Sequence, residues 1–168
     1  MKIAVYTGSF DPITVGHLNV IQRSSRLTER LIVGVGINVQ KSELFTPEER
    51  CELIRESIAN LPNVEIRTFQ GLAVDFVRQC DSNVMIRGVR PLTDIDAEFT
   101  MTSANRQLAP EIETVFLMSD PSFSHVSSSL IKQIAHLADD EQLAKFLPQP
   151  IIQRVRERLN ARRQQASG

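Results

Sequence analysis

Five short apolar runs, rich in β-branched residues and separated by stretches with helical periodicity, limit what this chain can fold into. IAVYT (3–7), LIVGVGI (31–37), VEIRTF (64–69), VMIRG (84–88) and ETVFLMS (113–119) read as strands. Most are almost continuously apolar, the mark of parallel strands covered on both faces. Between them, HLNVIQRSSRLTER (17–30), TPEERCELIRESIAN (46–60), LAVDFVRQC (72–80) and a segment from about Asp94 to Leu108 read as helices. The second opens with Thr46 and Glu49, a capping box, and has Pro47 at the first helical position. This order, joined by right-handed crossovers, predicts an α/β fold: a Rossmann-like open five-stranded parallel sheet with helices on both faces and a helical C-terminal segment. SSSLIKQIAHLADD, EQLAKFLP and QPIIQRVRERLNARR supply that last segment. No repeat, low-complexity tract or linker intervenes, so residues 1–168 read as one domain, the last few as a disordered tail.

Composition narrows the function classes. With 42% apolar residues, 23% charged residues and a net charge of −1, the chain has no global bias toward nucleic acid or a membrane surface. The basic run QRVRERLNARRQQ reads as a solvated helix and frayed tail. Cys51 and Cys80 fall in separate helices and suggest neither a disulfide framework nor a zinc site, which fits a reducing compartment. MKIAVYTG is not a signal peptide, and no apolar run approaches the roughly 18 residues of a membrane span. A soluble cytoplasmic protein is expected.

In a doubly wound sheet, ligands bind beyond the carboxyl ends of the strands. The segments there are TGSFDPITVGH, NVQKSELF, QGLAVDF, RGVRPLTD and SDPSFSHVSSS, each richer in glycine, polar or basic residues than a turn requires. The first lacks both GxGxxG and GxxxxGK[ST], so it is neither a dinucleotide fingerprint nor a P-loop. It does bring Gly16 and His17 to a helix start, where backbone N–H groups and the dipole favour phosphate. Two readings of His17 stand at this point: a phosphate donor, or a surface residue on a helix capped by Thr14. Arg87 and Arg90 flank a strand end in a pattern suited to forked recognition of phosphate oxygens. Lys41 on its own reads as a surface lysine, a compact cation that could reach the same anion. Of Ser127, Ser128 and Ser129, one serves as an N-cap and the others form a second anion cradle. His125 and His136 have no partners at metal-ligand spacing, so no protein metal ligands are expected. There is no GxSxG elbow and no activated cysteine. Several phosphate binders without a nucleophile fit phosphoryl or nucleotidyl transfer, in which positioning and charge stabilisation do most of the work.

GSFDPITVGH, with its T-x-G-H ending, resembles the signature of the nucleotidyltransferase superfamily that also includes class I aminoacyl-tRNA synthetases. Over nearly its full length the chain is similar to the bacterial phosphopantetheine adenylyltransferases, through YTGSFDPITVGH, KSELFTPEER, NVEIRTFQGLAVDF, MIRGVRPLTDIDAEF, HVSSSL and KFLPQPI. The resemblance implies transfer of AMP from ATP to 4′-phosphopantetheine, giving dephospho-coenzyme A and pyrophosphate, with Mg²⁺. It implies that Ser9, Phe10, His17, Gly88, Val89, Arg90, Glu98 and the segment Ser124, His125, Val126, Ser127, Ser128, Ser129 contact ATP. Ser9, Lys41, Ala73 and Arg87 would bind phosphopantetheine, with His17 and Lys41 catalytic. It further implies a homohexamer of two trimers and coenzyme A as a feedback ligand. Three positions depart from the family pattern: Thr7 where proline is common, Val15 where asparagine is usual, and His125 where an aromatic is usual. Competing expectations are a sister enzyme acting on nicotinate mononucleotide or glycerol 3-phosphate, a nucleotide sensor without turnover, and a nucleic-acid contact through the basic tail.

Overall fold

The computed structural model describes residues 1–37, 43–90 and 95–166. Five strands, β1 (Ile3–Gly8), β2 (Arg30–Ile37), β3 (Val64–Gln70), β4 (Val84–Val89) and β5 (Glu113–Met118), form one sheet in the order β3-β2-β1-β4-β5. All four pairings are parallel. The expected open parallel sheet is therefore present. Its strand order reverses between β1 and β4, where a doubly wound sheet opens its ligand crevice. Among the described residues, β1 and β4 pair at Val5 with Met85 and at Tyr6 with Ile86. Beyond those pairs the strands part, and Thr7, Gly8, Arg87 and Gly88 line the resulting cleft.

Side chains alternate across the sheet into two cores. Ala4, Tyr6, Leu31, Val33, Val35 and Ile86 face one side, where they pack with buried residues of α1 (Val15–Leu27), α2 (Pro47–Ser57), α5 (Ser128–Ile134) and α7 (Ile152–Ala166). Val5, Ile32 and Met85 face the other side with α3 (Ala73–Gln79) and with Ala109 and Ile112. Gly34 sits under this second core: a Cβ there would lie 2.4 Å from the Phe76 ring, which itself stacks on Phe69 at 4.5 Å. The helix α4 (Ile95–Leu108) buries none of its residues and leaves Phe99, Met101 and Leu108 exposed.

Helix boundaries differ from the periodicity in instructive ways. α1 starts at Val15 rather than at residue 17, because Thr14 is already the extended N-cap, and it stops at Leu27 as Thr28 returns to extended backbone. α2 stops at Ser57 rather than at residue 60, with the Ile58 N–H bonding back to Ile54 and Arg55. Thr46 and Glu49 form the expected capping box.

The basic C-terminal run is a helix docked by charge, which corrects its reading as solvated and frayed. Arg154 pairs with Glu52 and Glu56 of α2, and Arg158 grips Glu49 while lying 4.9 Å over the Phe45 ring. Its alternation of Arg with apolar residues had matched a plain exposed helix because the complementary glutamates lie about a hundred residues earlier. The end of the chain, residues 167–168, falls outside the described residues. Arg158 holds the Glu49 carboxyl below its ordinary range, mainly by hydrogen bonding. A carboxylate depressed in the folded state contributes stability above its unfolded pKa of about 4.3, and that contribution is lost as pH falls through the lower folded value. Acidification below pH ~4 is therefore expected to release α7, read as faster proteolysis of the C-terminal segment. Glu49→Gln should be looser already at pH 7 and should show a flatter acid response.

Candidate active site

A cavity of about 320 Å³ opens at the carboxyl ends of β1 and β4, lined by the β1–α1 connection, the end of β4, α4 and the start of α5. Ser9, His17, Arg87, Gly88, Arg90, Glu98, Val126, Ser127, Ser128 and Ser129 all line it. The structure thus brings together residues from four separate stretches of sequence.

His17 resolves the two readings of its loop by satisfying both. Thr14 is the N-cap of α1, accepting from the His17 amide at 3.3 Å. In return His17 Nδ1 accepts from the Thr14 amide at 3.1 Å, so the histidine takes the place of the usual Glu or Gln in a capping box. A backbone N–H only donates, so Nδ1 is an acceptor, and the neutral ring carries its proton on Nε2. The cap therefore fixes both the ring and the tautomer: Nε2–H is the group His17 can offer a ligand in the cavity. Phe10 buttresses the ring edge-on at 5.1 Å and meets Tyr6 edge-on at 5.3 Å. Phe10 has φ of 49°, an uncommon conformation for a bulky residue, and its ring is buried. Its side chain supports the His17 ring from beneath. Tyr6 is pushed well up by burial and stays a neutral hydroxyl on the cavity wall.

The cationic wall is already partnered. Arg87 donates through Nε and Nη2 to both oxygens of Glu98, at 2.7 and 2.6 Å, and through Nη1 to the Thr7 carbonyl and hydroxyl at 3.0 and 3.1 Å. Arg90 Nη1 donates to the Val126 carbonyl at 3.2 Å, tying β4 to the serine segment. Ser127 caps α5 through the Leu130 amide, and the Ser128 hydroxyl donates to the Pro12 carbonyl at 2.8 Å. Of the three serines, one thus caps α5 and one joins the last loop to the first. Gly88 brings β4 close to α1, since a Cβ there would lie 2.8 Å from Val20 Cγ2.

Other expected residues lie at the margins. Val89 is buried, and Ala73 begins α3 against the second core. The Ser124 hydroxyl donates to Pro121, and His125 is exposed with its ring edge-on to Phe146 at 5.7 Å. Lys41 lies outside the described residues. Among the described residues no group of three or more His, Cys, Asp or Glu side chains could hold a metal ion.

Three residues were not singled out from sequence. Ser119 is a buried wall residue whose hydroxyl has no partner among the described residues. Asp11 accepts from the Leu44 and Phe45 amides at 2.7 and 2.9 Å and pairs with Lys132 at 2.6 Å. Arg50 is wholly buried and reaches the Ser9 carbonyl at 2.7 Å. In the sequence Arg50 is simply one residue of the capped helix TPEERCELIRESIAN, with no reading of its own.

The cytidylyltransferase-like family model matches residues 5–134. The phosphopantetheine adenylyltransferase of Rhodopirellula baltica is 61% identical over 161 residues, covering 95% of this chain and 90% of that protein. The chain belongs to the phosphopantetheine adenylyltransferase family. The enzyme of that name from Clostridium perfringens is 44% identical over 163 residues, covering 97% of this chain and 98% of its own. A Vibrio parahaemolyticus protein described as a nicotinate-nucleotide adenylyltransferase has the same fold, with a TM-score of 0.67 at 16% identity over 95% of both chains. The fold and family expected from the sequence hold.

If Glu98 competes with an anion for Arg87, neutralising it should favour the anion. Glu98→Gln is expected to tighten binding of inorganic phosphate about three- to tenfold by calorimetry, since charge-assisted forks outrank neutral ones. Equal affinity in the two proteins would show that the pairing does not compete.

Proposed function

We propose that the chain, working as one nucleotidyltransferase domain, transfers the adenylyl group of ATP to 4′-phosphopantetheine within this cavity. The product is dephospho-coenzyme A, the leaving group pyrophosphate. The observation that carries the reading is His17, whose tautomer the helix cap fixes beside two arginines at the switch point of the sheet. A phosphate monoester is already anionic at neutral pH, so its oxygen needs no general base. That oxygen forms a bond to the α-phosphorus in line as the bond from the α-phosphorus to the bridging oxygen of pyrophosphate breaks. No covalent enzyme intermediate is required.

In this scheme Nε2–H of His17 donates to an α-phosphoryl oxygen as charge builds there, with the start of α1 adding its dipole. Arg87 exchanges Glu98 for the acceptor phosphate, aided by Ser9 and Lys41, and Ala73 borders the pantetheine arm. Ser9, the Phe10 backbone, Gly88, Val89, Arg90, Glu98 and the segment 124–129 hold ATP. Among the described residues, the sole acidic side chain of the cavity lining, Glu98, is committed to Arg87. Mg²⁺ would therefore take its donors chiefly from the nucleotide's phosphates, where it neutralises charge. The exposed Phe99, Met101 and Leu108 of α4, beside Met118 at the end of β5, support burial of this face between copies, as in a homohexamer. Coenzyme A, which contains the product's framework, is a candidate feedback ligand for the same cavity. Among the described residues no helix is long and apolar enough to cross a membrane, and a cytoplasmic site of action fits a pathway fed by ATP.

The test is pyrophosphate release from ATP and Mg²⁺ with 4′-phosphopantetheine, nicotinate mononucleotide or glycerol 3-phosphate in parallel. Release with phosphopantetheine alone is expected; release with another acceptor would overturn the substrate. His17→Ala should lower kcat by about 10²–10³ with little change in KM, since its contact strengthens in the transition state. Unchanged kcat would remove His17 from that role.

A further inference from the structure

Arg50 lies in the first turn of α2, and its side chain is completely buried. Nη1 donates to the Ser9 carbonyl at 2.7 Å and to the Gly36 carbonyl at 3.1 Å, and Nη2 donates to Glu43 Oε1 at 2.8 Å. Among the described residues its Nε, also buried, has no hydrogen-bond partner. A guanidinium so placed contributes little net stability. Desolvating the charge offsets most of the attraction, so the pair as a whole gains little over an apolar pair of similar volume, although removing one partner alone is costly. What the fork does supply is geometry, because its donors are coplanar and fixed relative to one another.

The three acceptors show what is being fixed. Ser9 lines the cavity and precedes Phe10, whose left-handed backbone turns the chain beneath His17. Gly36 is near the end of β2, and Glu43 stands just ahead of α2. One guanidinium thus locks the cavity-lining loop to both ends of the β2–α2 connection. The clamp is continued on its far side, where Asp11 holds the Leu44 and Phe45 amides.

We infer that Arg50 is a positioning residue for the transfer reaction, holding the Ser9 backbone and the two stems of the β2–α2 connection in the register that aligns the acceptor phosphate with the α-phosphorus. This rests on the function proposed above. Attack geometry is sensitive to displacements of about 1 Å, for which losses near 10²-fold are typical.

The test compares Arg50→Met, Arg50→Lys and Glu43→Gln with Ile54→Val, a buried apolar change on the same helix whose side chain makes no hydrogen bond. Arg50→Met, which takes the donor away from two carbonyls and from Glu43, is expected to melt cooperatively at a lower temperature. At a temperature where it is fully folded, its kcat should fall about 10²-fold with ATP affinity changing less than threefold. Arg50→Lys should restore part of kcat, and Glu43→Gln should lower it about threefold to tenfold. Hydrogen exchange should quicken in segments 6–17 and 36–46 of Arg50→Met and not in Ile54→Val. Normal exchange there, or a folded Arg50→Met with parental kcat, would overturn the inference. So would loss of activity that merely follows the melting temperature across all four variants. If Arg50→Met does not fold, Glu43→Gln decides, with parental kcat counting against. The exchange measurement needs no turnover, so a clamp that fails is distinguished from a parent protein with a different substrate.

Discussion

The carboxylate of Asp11 is the joint on which the site is assembled. It is buried, accepts two consecutive backbone amides at 44 and 45, and meets the Lys132 ammonium of α5. Three connections that leave the same edge of the sheet would otherwise be independent loops: β1 to α1, β2 to α2, and β5 to α5. A charged acceptor with two amide donors and a counter-ion is stable where an isolated carboxylate would not be, because three donors replace most of the hydrogen bonds lost from water. Ser128 on Pro12 and Arg90 on Val126 then need only fasten an arrangement already set.

Electrostatically, the cavity is prepared rather than vacant. Arg87 gives its fork to Glu98, and Arg90 gives one of its N–H groups to a carbonyl. Such internal partners keep a guanidinium oriented without a ligand, so binding an anion exchanges contacts instead of ordering a loose side chain. A ligand that took Arg87 from Glu98 would have to out-compete that carboxylate, and a weakly charged one would gain less.

The sheet could be read from the sequence because parallel strands are covered on both faces, and IAVY and LIVGV show it as unbroken apolar runs. His17 and the arginines at the end of β4 were legible because strand ends and helix starts have known positions relative to ligands. What stayed hidden depends on contacts between distant parts of the chain. Arg50 and Asp11 use side chains to hold backbone atoms 33 to 41 residues away, an interaction that leaves no periodic trace. The tail arginines were misread for the same reason, their glutamates being on α2. The exposed apolar residues of α4 fitted a helical pattern that says nothing about whether the surface is covered by the same chain.

The two cysteines bear on the chemistry of the substrate itself. 4′-Phosphopantetheine ends in a free thiol, and thiols trade partners through their thiolates. Cys51 and Cys80 are both buried, and burial raises both thiols above their ordinary range. Neither is a ready thiolate for a mixed disulfide with acceptor or product. The fold thus keeps its own sulfur chemically silent next to a ligand whose sulfur is reactive.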